Sequence, residues 1–415
     1  YGGYSAAAFF HARGIRVVAV DPDRRRAEAV REGRCPVRGM DAWLRAAGVD
    51  PAPTIDVYGS GAQVPDHVPV ATHHIAVPTE RAGRPDPDPL IDVCRTIAHR
   101  FTPDALVVVE STVTPGMLDA ALAAAPALRI VAAPRRDWFD SPDKHLGALP
   151  RIVGSDDPVA LAEVESYLSV VCPQIVRAPD LRTAARVKCV ENDLRHVELA
   201  YANDLARAIG DRYDVRRILA IAATKWNVPS MWPSVGVGGA CLPMAGRYLE
   251  EVGDVALSCA AQVSADRHRL AVVKFLAGFG RVAFLGVGYK AAAPFTPSAP
   301  AVRLAEDLCA RFGFGVDAIG VFPDSPEEAE AVRALLPKVD LIDWPDGFGR
   351  TAHDALVVPV ASDRARALTE ATFRRARPYR IVLDNEGVLE HLAPSLWEDI
   401  GTQYRVPGRK GWLET

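Results

Sequence analysis

The chain has 415 residues, of which 49% are hydrophobic and 24% charged, and its formal net charge at pH 7 is −4. This length exceeds one ordinary hydrophobic core and predicts two or three domains. The charge balance disfavours a nucleic-acid-binding protein, and we recognise neither a membrane-spanning run nor a signal peptide. The seven cysteines are scattered, with no CxxC pair and no cluster with histidine. This pattern predicts a cytoplasmic protein without disulfides and without a bound metal.

The chain begins with two glycines before a helix of small residues, which Gly14 is expected to close. The run 15–20 predicts a buried strand that ends at Asp21. A glycine turn, a helix, a strand and a terminal acid are typical of the second half of a dinucleotide-binding unit. Asp21 would bind the ribose hydroxyls and favour NAD over NADP. The first strand of such a unit is missing, so we expect it to precede Tyr1. An ordinary turn between a helix and a strand is the alternative interpretation.

Alternating strands and helices continue through the first half of the chain. Strands are predicted at 72–77, 105–110, 129–133 and 151–153, and helices at 24–32, 89–100 and 116–124. This alternation predicts a parallel sheet, whose ligands lie beyond the carboxyl ends of the strands. Two of these ends are polar, at 77–80 and 110–116. Their hydroxyls and amides could hold a pyrophosphate or a nicotinamide, although helix capping by Ser or Thr is the plainer alternative.

The segment 181–209 contains neither proline nor glycine and predicts one long helix. Lys188, Asn192, Arg195 and Leu199 recur at helical spacing and share one face. A lysine and an asparagine one turn apart can direct a cation and an amide donor at one bound oxygen. A solvated helix face is the alternative.

The stretch 235–249 places Cys241 after three closely spaced glycines and before an apolar, helical continuation. Glycines let the backbone approach a ligand closely. Backbone amides and a helix N-terminus beside a thiol favour its anionic form. The alternative is a tight turn with a buried and unreactive cysteine.

The last third predicts a second α/β sheet, with a strand and a glycine turn at 281–290 and a helix at 301–312. Further strands are predicted at 317–321, 339–342, 355–360 and 380–384. The predicted fold class is therefore α/β, with two Rossmann-like doubly wound domains joined by a central helical domain that contains the long helix. The expected boundaries are 1–180, 181–275 and 276–415.

Six segments, in chain order, carry a resemblance that extends over essentially the whole sequence. They are 77–80, 110–116, 151–154, 188–195, 236–243 and 285–290. The chain resembles the UDP-glucose/GDP-mannose dehydrogenase family and, within it, the UDP-N-acetylhexosamine branch. Members oxidise the C6 alcohol of a nucleotide sugar to a carboxylate with two NAD. The resemblance also implies a homodimer formed through the long central helix.

The resemblance assigns roles to the matching residues. Cys241 would form a thiohemiacetal and then a thioester at C6, Lys188 and Asn192 would stabilise the oxyanion, and Thr112 would lie near the hydrolytic water. The implied cofactor site comprises Gly3, Tyr4, Asp21, Val77, Pro78, Thr79, Ser111 and Thr112. The implied substrate site comprises Lys188, Asn192, Arg195, Val237, Gly238, Gly239, Tyr289 and Lys290.

Several positions depart from the family pattern. Arg135 stands where members usually carry a glutamate implicated in water activation, and an arginine cannot act as a general base. Asp137 is close enough in sequence to substitute. Met244 follows where an aspartate is common, and no arginine occurs in 296–301. Three hypotheses follow: a nucleotide-sugar dehydrogenase, an enzyme whose thioester hydrolysis is altered, or an inactive homologue that binds NAD or a nucleotide sugar as a regulatory or assembly partner.

Overall fold

The computed structural model describes residues 2–81, 83–138, 141–239, 241–291, 295–315, 317–350 and 352–414. The chain divides into two compact units. The first comprises Tyr1–Asn192 and Met244–Asp254, and the second comprises Asp193–Pro243 and Val255–Thr415. One boundary falls inside the helix Leu181–Ile209.

The first unit alternates strands and helices, as its sequence predicts. Its elements are α1 (Gly2–His11), β1 (Val18–Val20), α2 (Arg24–Arg31), α3 (Met40–Ala46), β2 (Asp56–Tyr58), β3 (His73–Ile75), β4 (Glu80–Arg81), β5 (Arg84–Pro85), α4 (Asp88–Arg100), β6 (Leu106–Val109), α5 (Pro115–Ala124), β7 (Arg129–Ala132), β8 (Arg151–Val153), α6 (Pro158–Leu168) and β9 (Ile175–Arg177), with a 3₁₀ turn at Gly61–Gln63.

The strands of the first unit pair mainly in parallel. β3, β6 and β7 lie side by side, β1 pairs with β2, and β8 pairs with β9. Strand β6 is apolar throughout because it is buried on both faces. Val107 and Val109 pack into one core with α4 and α5, while Leu106 and Val108 pack into another with α1 and α6. The carboxyl ends of β3 and β6 therefore meet at one edge.

The long helix α7 spans Leu181–Ile209. Its start is fixed by Asp180, whose carboxylate accepts a hydrogen bond of 2.6 Å from the Thr183 N–H. A side-chain oxygen in this position satisfies a backbone donor that has no partner within the helix. The helix ends before Gly210, as expected from the absence of proline and glycine in its interior.

The remaining elements are α8 (Val215–Ala222), α9 (Leu242–Leu249), a 3₁₀ turn (Glu250–Val252), α10 (Ala256–Ala277), β10 (Val282–Leu285), α11 (Pro300–Phe312), β11 (Ile319–Phe322), α12 (Pro326–Leu335), β12 (Asp340–Leu341), β13 (Ala355–Val358), α13 (Asp363–Arg366), α14 (Glu370–Arg375), β14 (Ile381–Asp384), α15 (Pro394–Asp399) and β15 (Gln403–Arg405). Within the described residues, β10–β15 form one six-stranded parallel sheet in the order β12-β11-β10-β13-β14-β15.

This order is that of a doubly wound Rossmann sheet, in which the strand order reverses beside the first strand. Here the reversal falls between β10 and β13, and ligands of such sheets bind outside the carboxyl ends of the strands at that point. The segment that follows β10 contains Tyr289 and Lys290. In the second unit, the helices α7, α8 and α10 pack against the α/β sheet. The main core contains buried residues of these helices and of β10 and β11.

Most predicted elements are present with shorter ends, and one helical segment is divided. The sequence predicts a helix over 250–279 that is broken near Gly253, and the structure has this break. A 3₁₀ turn ends there, and α10 begins at Ala256. Gly253 has a φ of 133°, which a residue with a side chain rarely adopts. Of the predicted strand at 15–20, only Val18–Val20 pairs with a neighbouring strand.

Candidate functional site

Cys241 is exposed and directly precedes α9. Its thiol therefore lies at the start of a helix, where backbone N–H groups have no partner within the helix. The structure places each of the seven cysteines as a free thiol. The prediction of a helical continuation after Cys241 is confirmed.

The glycines before Cys241 are packed against the segment that follows β10. The Gly239 N–H donates a 3.1 Å hydrogen bond to the Ser298 carbonyl. A Cβ on Gly239 would lie 2.7 Å from Cζ of Tyr289, and one on Gly238 would lie 2.6 Å from the Ser298 carbonyl oxygen. Both positions consequently require glycine. Val237 is half-buried beside them.

The structure brings together several of the residues assigned to the substrate site. Gly238, Gly239 and Tyr289 form one contact region in the second unit, and the Lys290 ammonium lies 5.4 Å from the centre of the Tyr289 ring. This distance permits a cation–π interaction. The region lies beyond the carboxyl end of β10, next to the point where the strand order reverses.

Lys188 and Asn192 lie on one face of α7, in the first unit. Asn192 is 8% exposed, and its Nδ2 has no hydrogen-bond partner among the described residues. The Lys188 Nζ lies 3.8 Å from a carboxylate oxygen of Glu191, which also pairs with Arg136 at 2.7 Å. A buried amide donor without a hydrogen-bond partner lowers the stability of the folded state. One turn of α7 thus carries the unsatisfied amide donor of Asn192 and the cation of Lys188.

Arg195 belongs to the second unit, although it follows Lys188 and Asn192 on the same predicted stripe. It is exposed, and its guanidinium pairs with Glu198 at 2.9 Å and reaches the Ser230 carbonyl at 3.4 Å. These contacts engage Arg195 within its own unit.

The carboxyl ends of β3 and β6 carry the residues assigned to the nicotinamide side of the cofactor. The Ser111 hydroxyl accepts from the Val77 N–H at 2.8 Å and donates to the Val77 carbonyl at 2.7 Å. The Thr79 hydroxyl donates to the Thr112 carbonyl at 2.6 Å, while Thr112 itself is half-buried. Pro78 lies between Val77 and Thr79 in the sequence and is exposed. Both hydroxyls therefore join the two strand ends to each other.

Gly3 lies at the start of α1 and close to the end of β3. A Cβ on Gly3 would lie 3.5 Å from the Ala76 Cβ, so the N-terminus of α1 approaches this strand end closely. Tyr4 points elsewhere, because its hydroxyl donates a 2.6 Å hydrogen bond to the Pro51 carbonyl. The N-terminus of α1 offers backbone N–H groups of the kind that bind phosphate.

Asp21 follows β1 and is linked to the end of β2, since its N–H donates to the Tyr58 carbonyl at 2.9 Å. Its half-exposed carboxylate accepts two hydrogen bonds from Arg26, at 2.9 and 3.0 Å. An acid at the end of a strand beside a glycine turn fits the ribose of a dinucleotide. The chemistry of these residues is compatible with NAD: Asp21 could accept hydrogen bonds from a ribose, and the N-terminus of α1 could hold a pyrophosphate. Ser111 and Thr112 would then face the nicotinamide side.

A buried ionic network at the end of β6 was not identified from the sequence. Glu110 is 2% exposed, and its carboxylate contacts Arg151 at 3.0 Å, Arg135 at 3.4 Å and the His74 Nδ1 at 2.9 Å. Burial alone would raise the pKa of Glu110, but the two arginines and the histidine outweigh it and hold the pKa at about 2. In the sequence, this network was indicated only by a histidine and an arginine within otherwise apolar strands.

The same network engages Arg135, which departs from the family pattern, and Asp137, the residue suggested as its substitute. Arg135 forms an ion pair with Asp137 and donates a 2.7 Å hydrogen bond to the Ser5 hydroxyl. The carboxylate of Asp137, which the sequence suggested as a substitute base, is thus paired with the guanidinium that replaces the usual glutamate.

No helix in the described part of the chain is long and apolar enough to cross a membrane. Across the same residues, no three His, Cys, Asp or Glu side chains are grouped so that they could hold a metal ion.

Residues 1–163 match the NAD binding domain of the UDP-glucose/GDP-mannose dehydrogenase family, and residues 182–263 match the central domain of the same family. The chain belongs to the UDP-glucose/GDP-mannose dehydrogenase family. The NAD predicted from Asp21 and the opening glycines is therefore the cofactor of its first domain. The resemblance stated from the six sequence segments is confirmed.

Known proteins that resemble the chain include Protein CapL of Staphylococcus aureus, with 32% identity over 198 residues, which are 43% of this chain and 46% of that protein. UDP-N-acetyl-D-mannosamine dehydrogenase of Pyrococcus horikoshii is 33% identical over 41% of this chain and 43% of its own length. The match thus spans just under half the length of these curated relatives. The solved UDP-D-ManNAc dehydrogenase of Pyrococcus horikoshii shares 21% identity, with a TM-score of 0.73 over 98% of this chain and 97% of that one. This last likeness shows the fold, an α/β arrangement with Rossmann-like domains.

Proposed function

We propose that the chain is an NAD-dependent dehydrogenase that oxidises the C6 alcohol of a UDP-sugar, a UDP-hexose or a UDP-N-acetylhexosamine, to the uronic acid. The observation that carries this proposal is the buried Asn192 amide without a partner, one turn from Lys188 on α7. Such a donor pair suits an oxygen that gains negative charge during the reaction. Membership in a family of nucleotide-sugar dehydrogenases supports the same chemistry.

In the proposed reaction, the C6 alcohol is first oxidised to an aldehyde. The Cys241 thiolate then adds to the aldehyde carbon, and Lys188 and Asn192 stabilise the resulting oxyanion. Oxidation of this thiohemiacetal gives a thioester, and water releases the carboxylate and restores the thiol. NAD, when bound, supplies the oxidant for two electrons in each of the two oxidations. The donors on α7 would also keep the oxygen oriented during hydrolysis.

The assignment of substrate contacts follows the positions of the residues. We assign Tyr289 and Lys290, with Gly238 and Gly239, to the nucleotide-sugar side, because they lie where the sheet order reverses. Gly3, Asp21, Ser111 and Thr112 are assigned to the NAD side. We keep the division into 1–180, 181–275 and 276–415 for these roles, and we place the enzyme in the cytoplasm, where its cysteines would stay reduced.

The first test counts NADH formed per sugar consumed, with a panel of UDP-sugars. The full reaction yields about two NADH per sugar, because each oxidation removes two electrons. We expect Cys241→Ser to abolish acid formation and Cys259→Ser to leave it intact. Cys259 is the matched control, because it is also exposed but lies on α10. Normal turnover by Cys241→Ser would exclude the covalent step.

The pairing of Arg135 with Asp137 supports a second candidate, in which the oxidations proceed but hydrolysis stalls. This enzyme would give a single burst of NADH, and Cys241 would carry the added mass of the oxidised UDP-sugar as a thioester. NAD binding without any sugar-dependent reduction would instead support a regulatory or assembly role.

We also propose a homodimer formed through α7. Val190, Leu194 and Tyr201 follow one another at helical spacing and are 52%, 60% and 57% exposed. An apolar stripe of this kind on a helix favours a partner surface. We expect Leu194→Glu to convert the dimer to a monomer in sedimentation velocity, while Val159→Glu, on α6 and 61% exposed, leaves the dimer intact. A wild-type chain that sediments as a monomer at all concentrations would refute the dimer.

A further inference from the structure

The backbone that leads to Cys241 is held by side chains from distant parts of the second unit. The Ser234 N–H donates to the Asn203 Oδ1 at 2.8 Å, and the Ser234 carbonyl lies 2.7 Å from the His268 Nε2. The Val235 N–H donates to the Asn385 Oδ1 at 2.7 Å. We call Asn203, His268 and Asn385 the loop clamp. Its members come from α7, α10 and the turn after β14.

Two members of the loop clamp are themselves fixed in orientation. A carbonyl only accepts hydrogen bonds, so His268 must carry its proton on Nε2. The His268 ring is fully buried and lies 5.6 Å from the ring of Trp412, which is 1% exposed. The Asn385 Nδ2 donates to the Pro359 carbonyl at 2.9 Å, which leaves its Oδ1 directed at Val235.

The other end of the glycine loop is fixed as well. Gly239 is bonded to the Ser298 carbonyl and is enclosed by the Tyr289 ring. The segment 234–239 is therefore held at both ends, and Cys241 follows two residues later. The site of attack of a nucleophile must be fixed closely, because a misplacement of about 1 Å can cost about 100-fold in rate.

We propose that Asn203, His268 and Asn385 are positioning residues that set the place and accessibility of the Cys241 thiol. This inference rests on the proposed function for its catalytic meaning. A purely structural role, in which the clamp only satisfies buried backbone groups, would affect stability without changing the reactivity of Cys241 in the folded protein.

The test measures alkylation by iodoacetamide, with the modified peptides resolved by mass spectrometry. In the same molecules, Cys259 is exposed on α10 and serves as an internal reference. We expect His268→Leu to change the ratio of the Cys241 rate to the Cys259 rate by about threefold or more and to lower kcat by about tenfold or more. His268→Gln should keep the alkylation ratio and kcat close to their wild-type values, because a glutamine Nε2 can donate the same hydrogen bond.

His353→Leu is the matched control, since His353 is also buried in the second unit but packs against Gly320. It should leave both readouts unchanged. Asn385→Ala is a second variant at a half-buried position if His268→Leu does not fold. An unchanged alkylation ratio in a folded variant of the clamp would overturn the proposal. The wild-type chain could lack dehydrogenase activity while the clamp variants still change the alkylation ratio. That outcome would support the loop clamp and reject the proposed reaction.

Discussion

Asn192 is the residue at which stability and function are expected to conflict. Its Nδ2 is buried without a partner among the described residues, and such a group costs about 1–3 kcal/mol of desolvation. For an asparagine that only packs in the core, nothing would offset this desolvation free energy. The unpaired amide therefore supports the view that the α7 turn with Lys188 is built for a bound oxygen.

We predict that Asn192→Leu, which keeps the branching and the number of non-hydrogen side-chain atoms, keeps or raises the free energy of unfolding. The same substitution should lower kcat by about 100- to 1,000-fold, the loss that follows removal of one oxyanion donor. Urea denaturation and NADH formation measure the two effects. Asn227→Leu, at an exposed position, is the control and should alter neither. Full activity in Asn192→Leu would remove Asn192 from the catalytic residues.

At the scale of elements, the glycine loop before Cys241 depends on both backbone conformation and space. Gly239 has a φ of 89° and faces the Tyr289 ring, whereas Gly280 has a φ of 75° and open space within 4 Å of the position that a Cβ would occupy. The two glycines share a left-handed backbone but differ in their surroundings. Substituting each by alanine separates the two requirements.

We predict that Gly280→Ala costs about 1–3 kcal/mol, the usual cost of a strained backbone conformation. Gly239→Ala should cost more, because its Cβ would also displace Tyr289, and it should reduce the alkylation rate of Cys241. Thermal denaturation compares the two variants. Equal losses of stability would mean that the contact with Tyr289 contributes nothing.

Several elements could be predicted because their signal is local. The apolar run of β6 and the uninterrupted helix α7 are visible within a short window, and the spacing of Lys188 and Asn192 follows from the helical period. The sequence patterns did not predict α6, although Asp157 caps it and Pro158 occupies its first turn. The loop clamp had no local signal, since 31 residues separate Asn203 from Ser234 and 150 separate Val235 from Asn385. Such contacts are determined only by the tertiary fold.

At the scale of the whole molecule, buried titratable groups make stability depend on pH. Burial lowers the pKa of His268 to about 4, and the arginines around Glu110 hold its pKa at about 2. Between pH 6.5 and 4, the unfolded chain binds a proton at His268 that the folded chain does not. Between pH 4.5 and 2, the same holds for Glu110. In both windows the unfolded state binds more protons, so stability falls as the pH is lowered.

We therefore predict that the urea midpoint decreases from pH 6.5 toward pH 4 and decreases further below pH 4.5. His268→Gln should weaken the first decrease, because glutamine does not titrate. Burial also lowers the pKa of His73 to about 4, so part of the first decrease should remain. A variant with the same pH dependence as wild type would show that His268 is not responsible.

The indole of Trp412 packs beside His268 and donates a 3.2 Å hydrogen bond to the Ala206 carbonyl, 206 residues earlier in the chain. A ribosome adds about 5–20 residues per second, so Trp412 is synthesised roughly 10–40 s after Ala206. During that interval the end of α7 and the ring of His268 have no indole to pack against. The second unit, and with it the support of the Cys241 loop, can therefore reach its native packing only after Trp412 has left the ribosome.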